Sequence, residues 1–133
     1  MAQGWLHHID LTVSDLPRST VFYDRVLPLL GFRRIEDCAD GPLWAGAGME
    51  LGLQAAQAAV RHDRYAPGLH HLAFGAASRA DVDRVHAELV KLAVPILDPP
   101  ALYERYAPGY YAVFFSDPDA IKLEYVYTPA WPA

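Results

Sequence analysis

Two histidines and two glutamates stand at comparable places in four strand-like segments of this sequence. His8, Glu50, His71 and Glu124 each alternate with apolar neighbours, so each faces away from the apolar side of its predicted strand. The apolar sides should pack beneath helices, which would leave these four side chains on the other, concave side of a curved sheet. Two imidazoles and two carboxylates balance a divalent cation, and this mixed nitrogen and oxygen set suits Zn, Ni, Fe, Mn or Co. The pattern therefore predicts a metal site that draws one residue from each segment.

The elements that must hold these residues follow one plan, and the first copy fills the first half of the chain. Alternation from Trp5 to Val13 predicts a strand, and Ser14 or Asp15 can cap a helix whose apolar stripe continues to Leu30. Gly31 is a plausible end for that helix. Three short strands are then predicted, near residues 32–36, 43–45 and 49–55.

The second half of the chain repeats this order. Leu69 to Gly75 alternates as a strand, and Ser78 caps a helix that extends to Leu92. Further strands are predicted near residues 94–97, 110–116 and 121–127. We therefore predict an α+β fold of two βαβββ modules, at about residues 4–57 and 68–128, within one domain of residues 1–133.

Composition excludes several classes of protein. The 133 residues are 53% hydrophobic and 20% charged, which is typical of a globular domain. No apolar run approaches the roughly 20 residues that span a bilayer, and no secretory signal is visible, so no membrane partner is expected. The single cysteine, Cys38, fits a reducing cytoplasm. A net charge of −5 argues against a nucleic-acid partner.

Several other polar residues are candidates for binding a substrate. Asp10 shares the face of His8, and one of Tyr110 and Tyr111 should point into the site while the other points away. Residues 98–109 are predicted to form a long loop of the kind that often acts as a lid. Arg105 lies in this loop and either binds an anion or is simply exposed.

The remaining four histidines are given no chemical role. His7 and His70 precede the predicted ligands and fall on the opposite face of each strand, which favours structural roles or exposure. His62 and His86 lie on a predicted loop and helix.

Four segments together resemble the vicinal oxygen chelate superfamily, which includes glyoxalase I, bleomycin resistance proteins and extradiol dioxygenases. These segments are Leu6–Leu16, Met49–Leu51, Gly68–Phe74 and Ser116–Tyr125. The resemblance covers nearly the whole chain and implies paired βαβββ modules, forming a curved, mostly antiparallel sheet around a cavity. It also implies that His8, Glu50, His71 and Glu124 take the four metal positions. Family chains of this size are commonly homodimers.

By that resemblance the protein is a metal-dependent isomerase or lyase of the glyoxalase type. Such an enzyme would bind a small substrate through adjacent oxygens, while Glu124 or Glu50 removes a proton from carbon. Glyoxalase I chains tend to have Arg and Asn where this chain has Thr12 and Gln54, which argues against a glutathione-containing substrate. Ala120 replaces the usual glycine of the closing turn, which costs strain if that residue needs a positive φ.

Two other functions fit the same residues. An extradiol-type dioxygenase would use His8, His71 and Glu124 on Fe(II) or Mn(II), with Glu50 dispensable. A drug-binding or resistance protein would hold a ligand without turnover, although such a cavity has no need for two histidines and two glutamates on one face.

Overall fold

The chain divides between Val60 and Arg61 into two units, and each unit repeats the same order of elements. The computed structural model describes residues 3–38 and 41–130. In both units a strand and a helix precede three further strands, which confirms the predicted α+β fold built from two βαβββ modules.

The first unit is a four-stranded sheet covered on one side by a helix. Its elements are β1 (His8–Val13), α1 (Leu16–Val26), β2 (Arg33–Cys38), β3 (Gly41–Gly46) and β4 (Met49–Ala55). The strand order is β1-β4-β3-β2, with β1 and β4 parallel and the other pairs antiparallel. The core lies between α1 and the apolar sides of β1 and β4, which include Leu11, Val13, Leu51 and Leu53.

Helix α1 is shorter than its apolar stripe predicts. Asp15 caps it by accepting a hydrogen bond of 3.1 Å from the backbone N–H of Arg18. The α-helix ends at Val26 and continues as a 3-10 turn over Leu27–Leu30. The prediction of a helix to Leu30 was therefore wrong in detail, because Pro28 has no N–H to donate within a helix. Gly31 ends the turn with φ +89°, as predicted for a helix terminator.

The second unit has the same topology. Its elements are β5 (His71–Gly75), α2 (Arg79–Lys91), β6 (Ile96–Leu102), β7 (Tyr111–Ser116) and β8 (Lys122–Tyr127). The strand order is β5-β8-β7-β6, again with only the first pair parallel. The Ser78 hydroxyl caps α2 by accepting from the N–H of Asp81 at 3.1 Å. Among the described residues, no helix has the length and apolarity needed to cross a membrane.

The predicted long loop is partly a strand. Residues 98–102 belong to β6, so the prediction that a loop begins at Asp98 was wrong. Pro99 and Pro100 suggested a loop because proline cannot donate to a strand ladder, but β6 is the edge strand of its sheet, where proline is tolerated. The register with β7 shifts on either side of Asp98, which accommodates the two prolines. The connection to β7 is therefore only residues 103–110.

The closing turn before β8 is held by one carboxylate. Asp117 Oδ1 accepts hydrogen bonds from the N–H groups of Asp119 and Ile121, both at 2.8 Å. Ala120 has φ +62° within this turn, in the left-handed region that favours glycine. The backbone strain expected of an alanine at this position is therefore present.

Candidate metal centre

The second unit brings His71 and Glu124 into contact. They lie on the neighbouring parallel strands β5 and β8, and His71 Nε2 is 3.1 Å from Glu124 Oε1. Glu124 is only 1% exposed, whereas His71 is one-third exposed. Leu123 and Tyr125 flank Glu124 in sequence and, by strand alternation, face the α2 side of the sheet. The Glu124 carboxylate is thus a buried charge on the other face, and such a charge needs partners.

Tyr110 is a second partner of that carboxylate. Its O–H donates a short hydrogen bond to Glu124 Oε2. Burial, the hydrogen bond to Glu124 and the negative charge of Glu124 raise the pKa of Tyr110 far above the ordinary tyrosine value of 10. The phenol is therefore a neutral donor under ordinary conditions, and both oxygens of Glu124 are engaged.

Tyr111 points the other way. Its O–H donates to Asp83 Oδ1 on α2 at 2.6 Å, and its ring lies beneath the guanidinium of Arg79. The predicted alternation of the two tyrosines therefore holds, with Tyr110 on the Glu124 side and Tyr111 on the helix side. Of the two tyrosines, only Tyr110 contacts a candidate metal ligand, Glu124.

Aromatic side chains surround the His71–Glu124 pair. Phe114 is the register partner of Glu124 on β7, and its ring centre lies 6.4 Å from that of His71. Lys122 Nζ lies 4.6 Å from the centre of the same Phe114 ring. This packing limits the access of water to Glu124. Neither Phe114 nor Lys122 was singled out from the sequence, because a lone aromatic or lysine on a strand has no distinctive pattern.

Arg105 lies in a cluster of tyrosines on the 103–110 connection, and this cluster adjoins the His71–Glu124 pair through Tyr110 and Phe114. Its guanidinium sits 4.8 Å from the ring centre of Tyr106 and donates to the Tyr106 hydroxyl at 3.0 Å. Tyr103 stacks on Tyr106 and also meets Phe114 edge-on, with ring centres 5.5 Å apart. Arg105 is exposed, and within the second unit it contacts this aromatic cluster rather than His71 or Glu124.

The first unit carries His8 and Glu50 on its first and fourth strands, in a different register from His71 and Glu124, since Glu124 is opposite Ala73. His8 and Glu50 are register partners on the parallel strands β1 and β4, so their side chains leave the same face of the sheet. Both line a cavity of about 250 Å³ together with His7, Asp10 and Gln54. In contrast to Glu124, Glu50 is half-buried.

Asp10 is held within this cavity by the residues opposite and beside it. Gly52 is its register partner, and a β-carbon there would lie 2.5 Å from Asp10 Oδ1. Gln54 Nε2 lies 3.5 Å from Asp10 Oδ2. The absence of a side chain at position 52 therefore makes room for the Asp10 carboxylate.

Each predicted ligand histidine touches the histidine before it. His7 Nδ1 lies 3.0 Å from His8 Nδ1, and His70 Nδ1 lies 2.7 Å from His71 Nδ1. Both leading histidines are exposed, as predicted, but they were expected to face away from the ligands. That expectation was wrong because β1 and β5 begin at His8 and His71, so strand alternation does not govern the residue before.

The surroundings of His70 favour its neutral form. Its pKa is lowered from the ordinary value, first by partial loss of solvent and then by His71, Lys122 and Arg64. A neutral imidazole has one nitrogen that donates and one that accepts a hydrogen bond.

The paired residues fit a divalent metal as half-sites. A metal bonded to an imidazole nitrogen and a carboxylate oxygen at about 2.0–2.2 Å each places those two atoms about 2.8–3.6 Å apart for octahedral to tetrahedral bond angles. The His71 Nε2 to Glu124 Oε1 distance of 3.1 Å lies within that range. No group of three or more His, Cys, Asp or Glu side chains with metal-binding geometry occurs within residues 3–38 and 41–130. Each unit therefore carries two potential ligands, and the four-ligand set remains a prediction.

Residues 5–125 match the family model for the glyoxalase/bleomycin resistance protein/dioxygenase superfamily. The chain belongs to this superfamily, as the sequence motifs predicted.

Known relatives agree with this assignment. The chain is 34% identical over 124 residues to the uncharacterized protein YqjT of Bacillus subtilis, covering 91% of this chain and 97% of that one. It is also 34% identical to a putative glyoxalase from Bacillus halodurans, with a TM-score of 0.80 over 95% of this chain and 97% of that chain. A lactoylglutathione lyase from Agrobacterium tumefaciens aligns over 100% of both chains with a TM-score of 0.72. Its identity of 22% makes it evidence for the fold alone.

Proposed function

We propose that this protein is a metal-dependent enzyme of the glyoxalase type, an isomerase or lyase whose small substrate is chelated through adjacent oxygens. The observation that carries the proposal is the duplication of one His–Glu pair. His8 with Glu50 and His71 with Glu124 occupy the first and fourth strands of their units, which run parallel. The register differs between the units, because Glu50 is directly opposite His8 whereas Glu124 lies two residues beyond the register partner of His71. A fold that merely needed stable sheets would have no reason to keep this pair twice on the face away from the helix.

The four ligands would hold a divalent ion, with Zn, Ni, Co, Fe and Mn all compatible with the donor set. When bound, such an ion would supply Lewis-acid stabilisation of negative charge on the substrate oxygens. The burial of Glu124 supports its assignment as a ligand, because a carboxylate that is 1% exposed gains from a nearby cation.

The two carboxylates are also the candidate catalytic bases. Both oxygens of Glu124 have partners in His71 and Tyr110. Glu50 is half-buried at the edge of a cavity, so it has more freedom to approach a substrate carbon and accept its proton. We therefore assign Glu50 as the preferred base, with Glu124 as the alternative.

The polar residues around Glu50 favour a substrate rich in hydroxyl or carbonyl groups. Asp10 and Gln54 line the same cavity and can accept or donate hydrogen bonds to such groups. Thr12 and Gln54 replace residues that help hold glutathione in glyoxalase I, so a smaller substrate is proposed. Tyr110 can orient a substrate oxygen near Glu124, whereas Tyr111 and Arg105 have other partners. We also propose that the protein is a homodimer and that it is cytoplasmic.

A second candidate follows from the difference between the two glutamates. Glu124 is buried and bonded, whereas Glu50 is half-buried, so His8, His71 and Glu124 could act as a three-ligand set without Glu50. That set is the two-His-one-carboxylate arrangement of Fe(II) oxygenases. It predicts a catechol-like substrate and oxygen chemistry.

Metal content of the untagged protein, measured by elemental analysis, tests these proposals. We expect about one equivalent of Zn, Ni or Co per chain in the wild type, lost in His8→Ala, Glu50→Ala and Glu124→Ala. Glu88→Ala is the matched control, because Glu88 lies on α2, where it pairs with Lys91 at 3.2 Å. Glu50→Gln should retain metal, since its amide oxygen can still coordinate, but should lose activity on hemithioacetals and related carbonyls.

The other outcomes separate the alternatives. Iron or manganese that survives Glu50→Ala, with turnover of catechols, would favour the dioxygenase. A wild type that takes up no metal after reconstitution would refute both enzymes and leave a binding protein.

A further inference from the structure

The same histidine–histidine contact occurs at the start of both units, between the same atoms. Nδ1 of His7 faces Nδ1 of His8 at 3.0 Å, and Nδ1 of His70 faces Nδ1 of His71 at 2.7 Å. The ring planes are nearly perpendicular in each pair, at 86° and 76°. Each leading histidine lies outside its strand and is exposed, so water could satisfy its ring equally well. The repetition points to a use for the contact itself.

The contacts of His71 distinguish its two ring nitrogens. Nε2 faces Glu124 Oε1 at 3.1 Å, and Nδ1 faces His70 at 2.7 Å. An imidazole that binds a metal through Nε2 must have its proton on Nδ1, and that N–H needs an acceptor to fix the ring orientation. The Nδ1 lone pair of His70 is in the right place to be that acceptor.

We propose that His70 and His7 are positioning residues, which accept the Nδ1–H of His71 and His8 and so select Nε2 of each as the metal-binding nitrogen. This inference rests on the proposed metal site. In the first unit the contact to His7 leaves Nε2 of His8 as the nitrogen available on the face that Glu50 shares.

Two measurements on the zinc-loaded full chain test the role of His70. The first is zinc affinity by competition with a chelator, for which we expect a loss of about 10–100-fold in His70→Ala. His70→Asn should recover part of this loss, because its amide oxygen lies near the place of the Nδ1 acceptor. His86→Ala, on α2, is the control for removing a histidine outside the site.

The second measurement is a readout that a merely structural role would not produce. In protein with 15N-labelled histidine, NMR should detect Nδ1–H on His71 and a scalar coupling across the hydrogen bond to His70 Nδ1. The coupling should vanish in His70→Ala. The same experiment in the first unit detects Nδ1–H on His8 in the wild type and in His7→Ala. It keeps the test valid if His70→Ala fails to fold.

Each negative result has a distinct meaning. Unchanged zinc affinity in both His70→Ala and His7→Ala, or His71 and His8 bound to zinc through Nδ1, would overturn the positioning role while leaving the metal site intact. A wild type that binds no zinc would overturn the proposed function, and this inference with it.

Discussion

Replacing Tyr110 by phenylalanine isolates one hydrogen bond of the candidate site. The change deletes the O–H that donates to Glu124 Oε2 and leaves the ring in place. Glu124 is 1% exposed, so water cannot easily replace the lost donor. Hydrogen bonds to charged groups contribute about 1.5–3 kcal/mol, and we expect the metal-free variant to lose that much free energy of unfolding. With an unfolding entropy of about 2.1 cal/mol/K per residue, the melting temperature of the 133-residue chain should fall by about 5–11 °C.

Tyr111→Phe is the matched control, since it makes the same chemical change one residue away. The Tyr111 O–H donates to Asp83, an exposed carboxylate that water can solvate after the change, so the loss should stay below about 1 kcal/mol. Urea unfolding at pH 7.5 with a chelator present measures both variants. Equal losses in the two variants, or a loss below about 0.5 kcal/mol for Tyr110→Phe, would refute the reasoning that Tyr110 supports a buried carboxylate.

Three further predictions follow from the backbone and the phenols. Gly46→Ala should destabilise the protein by about 1–3 kcal/mol in urea, because its β-carbon would lie 2.7 Å from the buried ring of Phe32, whereas Gly75→Ala, with open space around it, should be neutral or stabilising. Ala120→Gly should stabilise by about 0.5–1 kcal/mol by relieving φ +62°, whereas Ala87→Gly in the interior of α2 should destabilise by about 1 kcal/mol; thermal melts showing the same sign for both would contradict this. The raised pKa values of Tyr103, Tyr110, Tyr111 and Tyr125 favour neutral phenols in the folded state, so stability should hold up to about pH 10 and fall as pH rises further. Unfolding curves measured across that range should show a shallower fall in Tyr110→Phe.

The sequence predicted the elements well where a local pattern determines them. Strand alternation located β1, β4 and β8 because one face of each packs against a helix and the other does not. Ser78 was recognised as a cap because the hydroxyl and the N–H that it accepts from are only three residues apart. Strand β6 was missed because its two prolines argue against a strand in the middle of a sheet but not against one at the edge. Whether a strand lies at the edge depends on the strand order, which is not a local property of the sequence.

The candidate site was predictable to the extent that alternation determines it. His8, Glu50, His71 and Glu124 were found because each lies inside or at the first residue of a strand, and register then pairs His8 with Glu50 across β1 and β4. The exposure of each carboxylate was not predictable, because it depends on residues such as Tyr110 and Phe114 that approach from other strands.

The leading histidines show where the alternation argument stops. Alternation assigns opposite faces to neighbouring residues only while both have strand dihedral angles. His7 and His70 precede the first paired residue of β1 and β5, so their rings are free to turn toward the next side chain. A residue just outside a strand can therefore share the site of the residue just inside it.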